Sequence, residues 1–249
     1  MPAMISVKNL YKQRRRRTMA TMENAATRWA TFDCYGTLVD WEQGMQETLQ
    51  SVIQGDVSAL LRRYHELEPE VEAERPFRLY RFVLAKTLKR AAASLKLPLA
   101  PGAEHALAEN LPRWPVFPDV GPALAALKAQ GWKLALLSNI DKELIAHTLA
   151  TFPVAVDLVI TAEDVKSYKP GLAHFLRFQD TTAATRKNWV HVARSYFHDI
   201  TPIHELGILT AWINRGGSAD SAPLATVTLP DLTSLPDVLE QLIPAGKEL

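Results

Sequence analysis

The sequence contains a single cysteine, Cys34. One cysteine cannot form an intramolecular disulfide or supply a cysteine-based zinc cluster, so disulfide scaffolds and cysteine-rich metal domains are excluded. Structural disulfides belong to oxidising compartments and are rare where thiols stay reduced. We therefore expect a cytoplasmic protein.

The sequence also lacks a charge imbalance and any long apolar run. Lys and Arg number 28 against 27 for Asp and Glu, which gives a formal net charge of +1. No overall field therefore favours nucleic acid or an anionic membrane surface. No segment approaches the roughly 18–20 apolar residues of a membrane span. We expect neither a nucleic-acid partner nor a membrane partner, so that any anion site must be local.

The first 27 residues differ in character from the rest of the chain. They carry the run Arg14-Arg15-Arg16-Arg17 and the methionines Met19 and Met22, without the apolar core of a secretory signal. A nucleic-acid or targeting role for the arginine run is one interpretation. We adopt the other, in which residues 1–27 are a solvated, disordered basic tail or reflect an upstream start codon.

Beyond the tail, short apolar segments typical of buried strands alternate with segments of helical periodicity. A chain of 249 residues, 47% of them hydrophobic, can bury a full core. Alternation of strand and helix favours an α/β fold in which helices cover both faces of a parallel sheet. The predicted strands are 28–33, 132–137, 157–160, 189–193 and 208–213, and the predicted helices include 122–130, 142–151 and 232–243.

One stretch, from about residue 41 to residue 114, breaks this alternation. It shows helical periodicity and no convincing strand, with apolar residues recurring at helical spacing, among them Leu60, Leu61, Tyr64, Tyr80, Val83, Leu84 and Leu88. We interpret residues 42–114 as a helical cap domain inserted after the first strand. Residues 28–41 and 115–249 then form the core domain.

Polar side chains follow the predicted strands, at the carboxyl ends where ligands collect in parallel sheets. They are Asp33 with Thr37, Ser138 with Asn139, Lys169, and Asp199. An aimed carboxylate is a competent nucleophile, and a lysine beside it attracts and orients it. The hydroxyl and amide groups can donate hydrogen bonds to the carboxylate or to substrate oxygens. The alternative is that these residues are a strand-end turn, a surface lysine and helix caps.

In their order along the chain these residues resemble the four signature motifs of the haloacid dehalogenase superfamily. The matching segments are Asp33-Cys34-Tyr35-Gly36-Thr37-Leu38, Leu137-Ser138-Asn139, Tyr168-Lys169-Pro170 and the acidic Asp199. The resemblance covers nearly everything after residue 27 and implies a Rossmann-like core with a cap. It further implies that Asp33 is the nucleophile and that the other catalytic residues are Lys169, Asp199, Thr37, Ser138 and Asn139.

Two positions distinguish the dehalogenase and phosphatase branches of that superfamily. Phosphatases carry a second aspartate two residues after the nucleophile, which protonates the leaving group, and an acidic magnesium ligand near the fourth motif. This sequence has Tyr35 at the first position and Arg194 or Ser195 at the second. A phenol with a pKa of about 10 is a poor acid catalyst, and an arginine repels Mg²⁺.

The resemblance therefore implies an L-2-haloacid dehalogenase-like hydrolase. Such an enzyme displaces halide from a small 2-haloalkanoic acid through an aspartyl ester and needs no metal or other cofactor. A cation must hold the substrate carboxylate, and Arg62 in Leu60-Leu61-Arg62-Arg63 resembles the family segment that supplies it. Arg63, Arg78 and Arg81 are competing choices. The predicted substrate-binding residues are Tyr35, Arg62, Arg194, Tyr196 and His198, and the last is also a candidate helper for Asp199.

Three residues depart from the usual dehalogenase pattern. Arg194 and Tyr196 stand in place of serine and asparagine, and Phe175 stands in place of tyrosine. These departures put the substrate in question without touching the nucleophile. A phosphatase, or a protein that keeps the fold without efficient catalysis, stays open as an alternative. The resemblance also suggests a homodimer.

Overall fold

A computed structural model describes residues 27–150, 152–217 and 223–246. The predicted basic tail therefore lies outside the described residues, apart from Thr27. Among the residues described, no helix is long and apolar enough to cross a membrane.

A six-stranded parallel sheet in the order β3-β2-β1-β4-β5-β6 forms the centre of the molecule. Its central strand β4 is buried along its whole length, and β2 is exposed only at its first residue, as expected for parallel strands covered on both faces. The strands are β1 (Trp29–Phe32), β2 (Lys133–Ser138), β3 (Leu158–Thr161), β4 (Trp189–Ala193), β5 (Leu209–Ile213) and β6 (Val227–Leu229). The predicted α/β fold is confirmed.

The strand order reverses at β1. The chain runs outward from β1 through β2 to β3, then crosses to the other side of β1 and continues through β4, β5 and β6. A crevice opens at such a switch point, between the carboxyl ends of the two central strands. Asp33 directly follows β1 and Arg194 directly follows β4, so the topology brings both residues to this crevice.

Helices occupy most of the segment between β1 and β2. They are α1 (Trp41–Val52), α2 (Val57–Glu72), α3 (Tyr80–Ser94) and α4 (Ala106–Asn110), followed by a short 3₁₀ turn, Leu111–Arg113. Asp40 and Asp56 cap α1 and α2, because their carboxylates accept from the backbone N–H groups of Gln43 and Ala59 at 3.1 and 2.9 Å.

The helical segment leaves the core and returns to it at one place. The Asp40 backbone N–H donates to the Pro115 carbonyl at 2.7 Å, and the Phe117 N–H donates to the Leu38 carbonyl at 3.0 Å. These bonds close the base of the insertion beside the loop that carries Asp33. The division into a cap of residues 42–114 and a core stays a prediction about folding units.

The remaining helices cover the sheet. They are α5 (Val120–Ala129), α6 (Lys142–Leu149), α7 (Ala162–Val165), α8 (Ala173–Thr182), α9 (Thr201–Glu205) and α10 (Leu235–Leu242). A single π-helical turn, Tyr196–Ile200, joins the loop after β4 to α9. Such turns are frequent at functional sites, and this one carries His198 and Asp199.

Candidate active site

Asp33 lies at the end of β1 on a tightly wound loop. The Cys34 carbonyl accepts hydrogen bonds from the backbone N–H groups of Leu38 and Val39 at 2.7 and 3.0 Å, which folds the loop back on itself. Gly36 has a φ of +91°, a backbone conformation that residues other than glycine rarely adopt. The Asp33 side chain is held at both oxygens, because Oδ2 accepts from Thr37 Oγ1 at 3.0 Å and Oδ1 accepts from Lys169 Nζ at 2.9 Å.

Lys169 connects the nucleophile candidate to a second carboxylate. Its Nζ donates to Asp33 Oδ1, to Asp199 Oδ1 at 2.6 Å and to the Leu137 carbonyl at 2.8 Å. These three bonds use all three ammonium protons. Lys169 is only 1% exposed. Burial alone lowers the pKa of Lys169, but the charges of Asp199 and Asp33 outweigh it and hold the pKa above its ordinary value, so the ammonium stays charged.

A buried chain of hydrogen bonds ends at Asp199. Trp189 Nε1 donates to Thr31 Oγ1 at 2.7 Å, and Thr31 Oγ1 lies 2.8 Å from His191 Nδ1. Because the indole can only donate, the threonine hydroxyl is free to give its proton to Nδ1, and we assign the imidazole proton to Nε2. That nitrogen lies 3.0 Å from Asp199 Oδ1.

Asp199 is fully buried and keeps one oxygen free. Lys169 and His191 occupy Oδ1, whereas Oδ2 has no hydrogen-bond partner among the described residues. Burial raises the pKa of Asp199, but the charge of Lys169 and the His191 hydrogen bond outweigh it and lower the pKa to about 2. The site therefore contains a second ionised carboxylate with one oxygen available to orient a water molecule or accept its proton.

Asn139 and Ser138 follow β2 at the same edge of the sheet. Asn139 Oδ1 accepts from the Lys169 backbone N–H at 2.7 Å, and its Nδ2 donates to the Lys169 carbonyl at 3.0 Å. This pair of bonds fixes the loop that carries Lys169. The residue at the cap position of α6 is Asp141, so the alternative of a helix cap does not describe Asn139. Ser138 is buried and faces the cavity.

The insertion and the sheet edge enclose a cavity of about 270 Å³. From the core it is lined by the carboxylates, Lys169, and polar residues of the loops that follow the strands. From the inserted helices it is lined mostly by aromatic and acidic residues. The full lining is Asp33, Tyr35, Trp41, Glu42, His65, Glu68, Pro69, Glu72, Tyr80, Ser138, Asn139, Lys169, Arg194, Ser195, His198 and Asp199.

Arg194 lies across the loop of the nucleophile candidate. Its backbone N–H donates to Thr37 Oγ1 at 2.9 Å, and a Cβ added to Gly36 would stand 3.4 Å from its Nη1. The guanidinium is 3.9 Å from Glu42 Oε1 at the exposed side of the cavity. Among the described lining residues the lysine and arginine side chains are Lys169 and Arg194. Since Lys169 has no free proton, Arg194 is the cation available to an anionic ligand.

Two predicted substrate-binding residues lie elsewhere. Arg62 is exposed and does not line the cavity. Leu60 and Leu61 lie on the buried face of α2, and Arg62, two positions after Leu60, lies on the opposite side of the helix. Tyr196 also lies outside the lining, since its hydroxyl accepts from the Leu224 backbone N–H at 2.9 Å and its ring packs against a tryptophan of β5. Neither residue therefore lines the cavity, since Arg62 faces solvent and Tyr196 has structural contacts instead.

The other departures from the dehalogenase pattern are also placed by the structure. Phe175 is fully buried and its ring meets His191 edge to face at 5.2 Å, outside the cavity lining. Tyr35 lines the cavity, and its hydroxyl is 2.8 Å from Thr148 Oγ1. Burial raises the pKa of Tyr35 well above its ordinary value, so the phenol keeps its proton. His198 lines the cavity with its Nδ1 3.0 Å from Ser195 Oγ.

Three residues of the site were missed by the sequence reasoning. His191 stands inside the apolar segment of β4, where a histidine among valines signals a buried polar contact. Glu68 and Glu72 continue the stripe of Leu60 and Tyr64 at four-residue spacing, so they fall on the buried face of α2. The position of these two carboxyl groups on the apolar stripe of a helix could have identified them as site residues.

Comparison with known proteins identifies relatives that are similar to this chain in sequence. Haloacetate dehalogenase H-2 of Moraxella sp. (strain B) is 28% identical over 127 residues, which are 50% of this chain and 56% of that protein, so the match spans about half of that relative. (S)-2-haloacid dehalogenase H-109 of Pseudomonas putida is 27% identical over 218 residues, which are 79% of this chain and 90% of that protein.

Solved structures show the same fold. The crystal structure of the L-2-haloacid dehalogenase RSc1362 matches with a TM-score of 0.78 at 22% identity, over 86% of this chain and 99% of that chain. The family model described as haloacid dehalogenase-like hydrolase matches residues 27–180, which is more than half of the chain. The chain therefore belongs to the haloacid dehalogenase-like hydrolases.

Proposed function

We propose that this hydrolase releases halide from small 2-haloalkanoic acids through an ester on Asp33. The observation that carries the proposal is the pair of buried carboxylates that share Lys169. One of them, Asp33, has both oxygens oriented by Thr37 and Lys169. The other, Asp199, keeps Oδ2 free. The names of the relatives, a haloacetate dehalogenase and a 2-haloacid dehalogenase, support the same reaction.

The reaction has two steps. In the first, an Asp33 oxygen attacks the carbon that bears the halogen, the carbon–halogen bond breaks, and the halide leaves with the bonding electron pair. In the second, water attacks the carbonyl carbon of the Asp33 ester while Asp199 accepts a proton from that water. Cleavage of the ester C–O bond, with transfer of the proton from Asp199 to the departing oxygen, then releases a 2-hydroxy acid. Loss of the other water proton to solvent restores the Asp33 carboxylate with one oxygen from water.

The leaving group favours halide over phosphate esters or alcohols. A halide departs without a proton, whereas an alcohol leaving group needs an acid. The residue two positions after the nucleophile is Tyr35, whose hydroxyl contacts Thr148 and whose pKa is raised by burial. A buried phenol of this kind is a poor proton donor at neutral pH. The first step therefore proceeds here without general acid catalysis.

Arg194 is the proposed holder of the substrate carboxylate. It replaces Arg62 in that role because it lines the cavity and has free donors, while Lys169 has none. A guanidinium can bind a carboxylate with two parallel hydrogen bonds. Ser138, Asn139, Tyr35 and His198 complete the cavity wall near Asp33, where the Ser138 hydroxyl and His198 Nε2 can contact the departing halide or the incoming water.

Measurement of chloride release from short 2-chloroalkanoic acids tests this function. The wild-type protein should release chloride and form the 2-hydroxy acid, and Asp33→Asn should reduce turnover by several orders of magnitude, because an amide is a far weaker nucleophile. The matched control Asp40→Asn removes a carboxylate that caps α1. It should leave turnover nearly unchanged. Phosphate release from an aryl phosphate without chloride release from any chloroacid would contradict the proposal.

The setting of the reaction is also a proposal. We infer a cytoplasmic enzyme from the lone, buried Cys34, and a homodimer from the family resemblance. Light scattering on the purified protein measures the oligomeric state directly. A mass equal to one chain of 27.7 kDa at micromolar concentration would contradict the dimer.

A further inference from the structure

The cavity wall formed by the insertion combines aromatic rings with carboxyl groups. Small-molecule sites are lined mainly by apolar side chains, with a few polar groups that orient the ligand. Here none of the described lining residues is Ala, Val, Leu, Ile, Met or Phe. Helix α2 instead presents two carboxyl groups, Glu68 and Glu72, to the cavity. A methyl or ethyl group placed beside them could contact the aromatic rings but could not donate a hydrogen bond to either carboxyl group.

Glu68 is held by one oxygen and leaves the other open. Tyr64 and Tyr80 donate their hydroxyl protons to Glu68 Oε1, at 3.0 and 2.7 Å. Each tyrosine has a single proton to give, so this pair of bonds fixes the carboxyl group. Within the described part of the chain, no hydrogen bond reaches Glu68 Oε2. The rigid carboxyl therefore offers an unused acceptor on a residue that lines the cavity.

Glu72 is likewise satisfied at one oxygen only. Its Oε1 accepts from Asn139 Nδ2 at 3.3 Å, and its Oε2 lies 3.8 Å from His198 Nε2, too far for a hydrogen bond. Glu72 is 8% exposed. His198 Nε2 has no partner among the described residues, and the same holds for Oδ2 of the fully buried Asp199. The polar atoms around this part of the cavity are thus incomplete without a ligand or water.

Both glutamates lack a cation that would balance their charge. No lysine or arginine forms an ion pair with either of them among the described residues, in contrast to Asp33 and Asp199. Burial raises the pKa of Glu68 to about 7 and that of Glu72 well above its ordinary value. The charged carboxylate is thus disfavoured unless a donor or a cation reaches its open oxygen. A ligand group that donates hydrogen bonds would supply that donor.

We propose that Glu68 and Glu72 form a subsite for a hydrogen-bond donor on the substrate. The preferred substrate is then a 2-halo acid that bears a hydroxyl or ammonium group on the carbon beyond the reacting one, in place of a plain alkyl chain. In this arrangement Arg194 binds the carboxylate, Asp33 faces the reacting carbon, and the two glutamates bind the donor group. The inference rests on the proposed dehalogenase function.

The test compares chloride release from 2-chloropropionate, 2-chloro-3-hydroxypropionate and 3-amino-2-chloropropionate, after subtraction of the enzyme-free rates. At least one donor-bearing substrate should have a kcat/KM roughly tenfold or more above that of 2-chloropropionate, as expected for a hydrogen bond to a charged or buried group. Preference for the amino substrate identifies an ammonium site, and preference for the hydroxy substrate identifies a hydroxyl site.

Variants separate binding from folding. Glu68→Gln and Glu72→Gln should raise KM for the preferred substrate about tenfold with little change in kcat, and should raise KM for 2-chloropropionate by a much smaller factor. The matched control is Glu70→Gln, on the exposed face of α2, which should alter none of these constants. General damage to the protein would instead lower kcat for all three substrates, and that result would overturn the subsite.

The outcomes for the two proposals are distinct. Chloride release that is fastest from 2-chloropropionate overturns the subsite and leaves the dehalogenase function standing. Equal effects of the glutamate variants on all three substrates also overturn the subsite. Absence of chloride release from every substrate, with phosphate release from an aryl phosphate, overturns the proposed function itself.

Discussion

Replacing Lys169 with methionine tests the electrostatic account of the site. The side chain is 1% exposed and stands between Asp33 and Asp199, whose oxygens lie 2.9 and 2.6 Å from its Nζ. Methionine keeps much of the volume and removes the charge, which leaves two buried carboxylates facing each other. Breaking a buried ion pair in this way costs about 3–5 kcal/mol. We expect the free energy of unfolding at neutral pH to fall by that amount.

The pKa of Asp199 corresponds to a stabilisation of the same order. Burial raises the pKa of Asp199, yet the charge of Lys169 and the His191 hydrogen bond bring it to about 2, against an ordinary value of 3.8. A difference of about 1.8 in pKa corresponds to roughly 2.5 kcal/mol of stability. This contribution is complete above pH 3.8 and is lost as the pH falls toward 2.

The pH dependence of the Lys169→Met variant has the opposite sign. Without the ammonium, burial dominates and the folded-state pKa of Asp199 rises above its unfolded value, so the ionised carboxylate destabilises the variant at neutral pH. The loss should shrink as the pH falls from about 7 to about 5, because the carboxyl group takes up a proton. Urea unfolding followed by circular dichroism measures both effects.

The matched control for this prediction is Lys89→Met. Lys89 is 61% exposed and its ion pair with Glu104 is at the surface, where water screens the charges. This variant should unfold at nearly the wild-type urea concentration at both pH values. A small, pH-independent loss for Lys169→Met, similar to that of the control, would contradict the role of Lys169 as the cation that stabilises the two buried carboxylates.

Three further predictions concern activity. His191→Phe should slow ester hydrolysis about tenfold or more, because Asp199 loses the donor that holds Oδ1, and rapid-quench kinetics should show a burst of chloride; an unchanged kcat without a burst would count against this role. Arg194→Met should raise KM for 2-chloropropionate about tenfold or more, whereas Arg62→Met should leave it unchanged, and the reverse pattern would restore the first choice of residue. A chelator should leave chloride release intact, since Arg194 and Ser195 stand where phosphatases of this family carry an acidic ligand; phosphatase activity that magnesium restores after chelation would contradict it.

The parts of the fold that local patterns determine were predictable from the sequence. Buried parallel strands such as β4 are continuous apolar runs, and the sharp change to polar residues after each run located Asp33, Ser138 and Asp199 at one edge of the sheet. The short strand β6 (Val227–Leu229) was missed, because three residues are too few to show a period. The helix α10 was predicted at 232–243 and spans Leu235–Leu242, because sequence patterns locate the ends of helices less well than their existence.

The composition of the cavity wall was harder to predict, because it depends on how the insertion sits over the sheet. A basic segment on α2 favoured Arg62 as the residue that binds the substrate carboxylate. Whether Arg62 lines the cavity depends on the direction of its side chain around the helix. The sequence identified Arg194 as a departure from the family pattern. Its contacts with Gly36 and Thr37 could not be predicted, because those residues are distant in sequence. His191 reaches Asp199 through a contact between a strand and the following π-helical turn, which no sequence period encodes.

Isotopic labelling distinguishes attack by the Asp33 carboxylate on the substrate from direct attack by water. A single turnover with excess enzyme in isotopically labelled water, followed by mass spectrometry of the peptide that contains Asp33, locates the oxygen that enters from solvent. The two-step reaction predicts that the label appears in the Asp33 carboxylate and is absent from the product of that first turnover. Label in the 2-hydroxy acid, with Asp33 unlabelled, would mean that water attacks the substrate itself and would contradict the account.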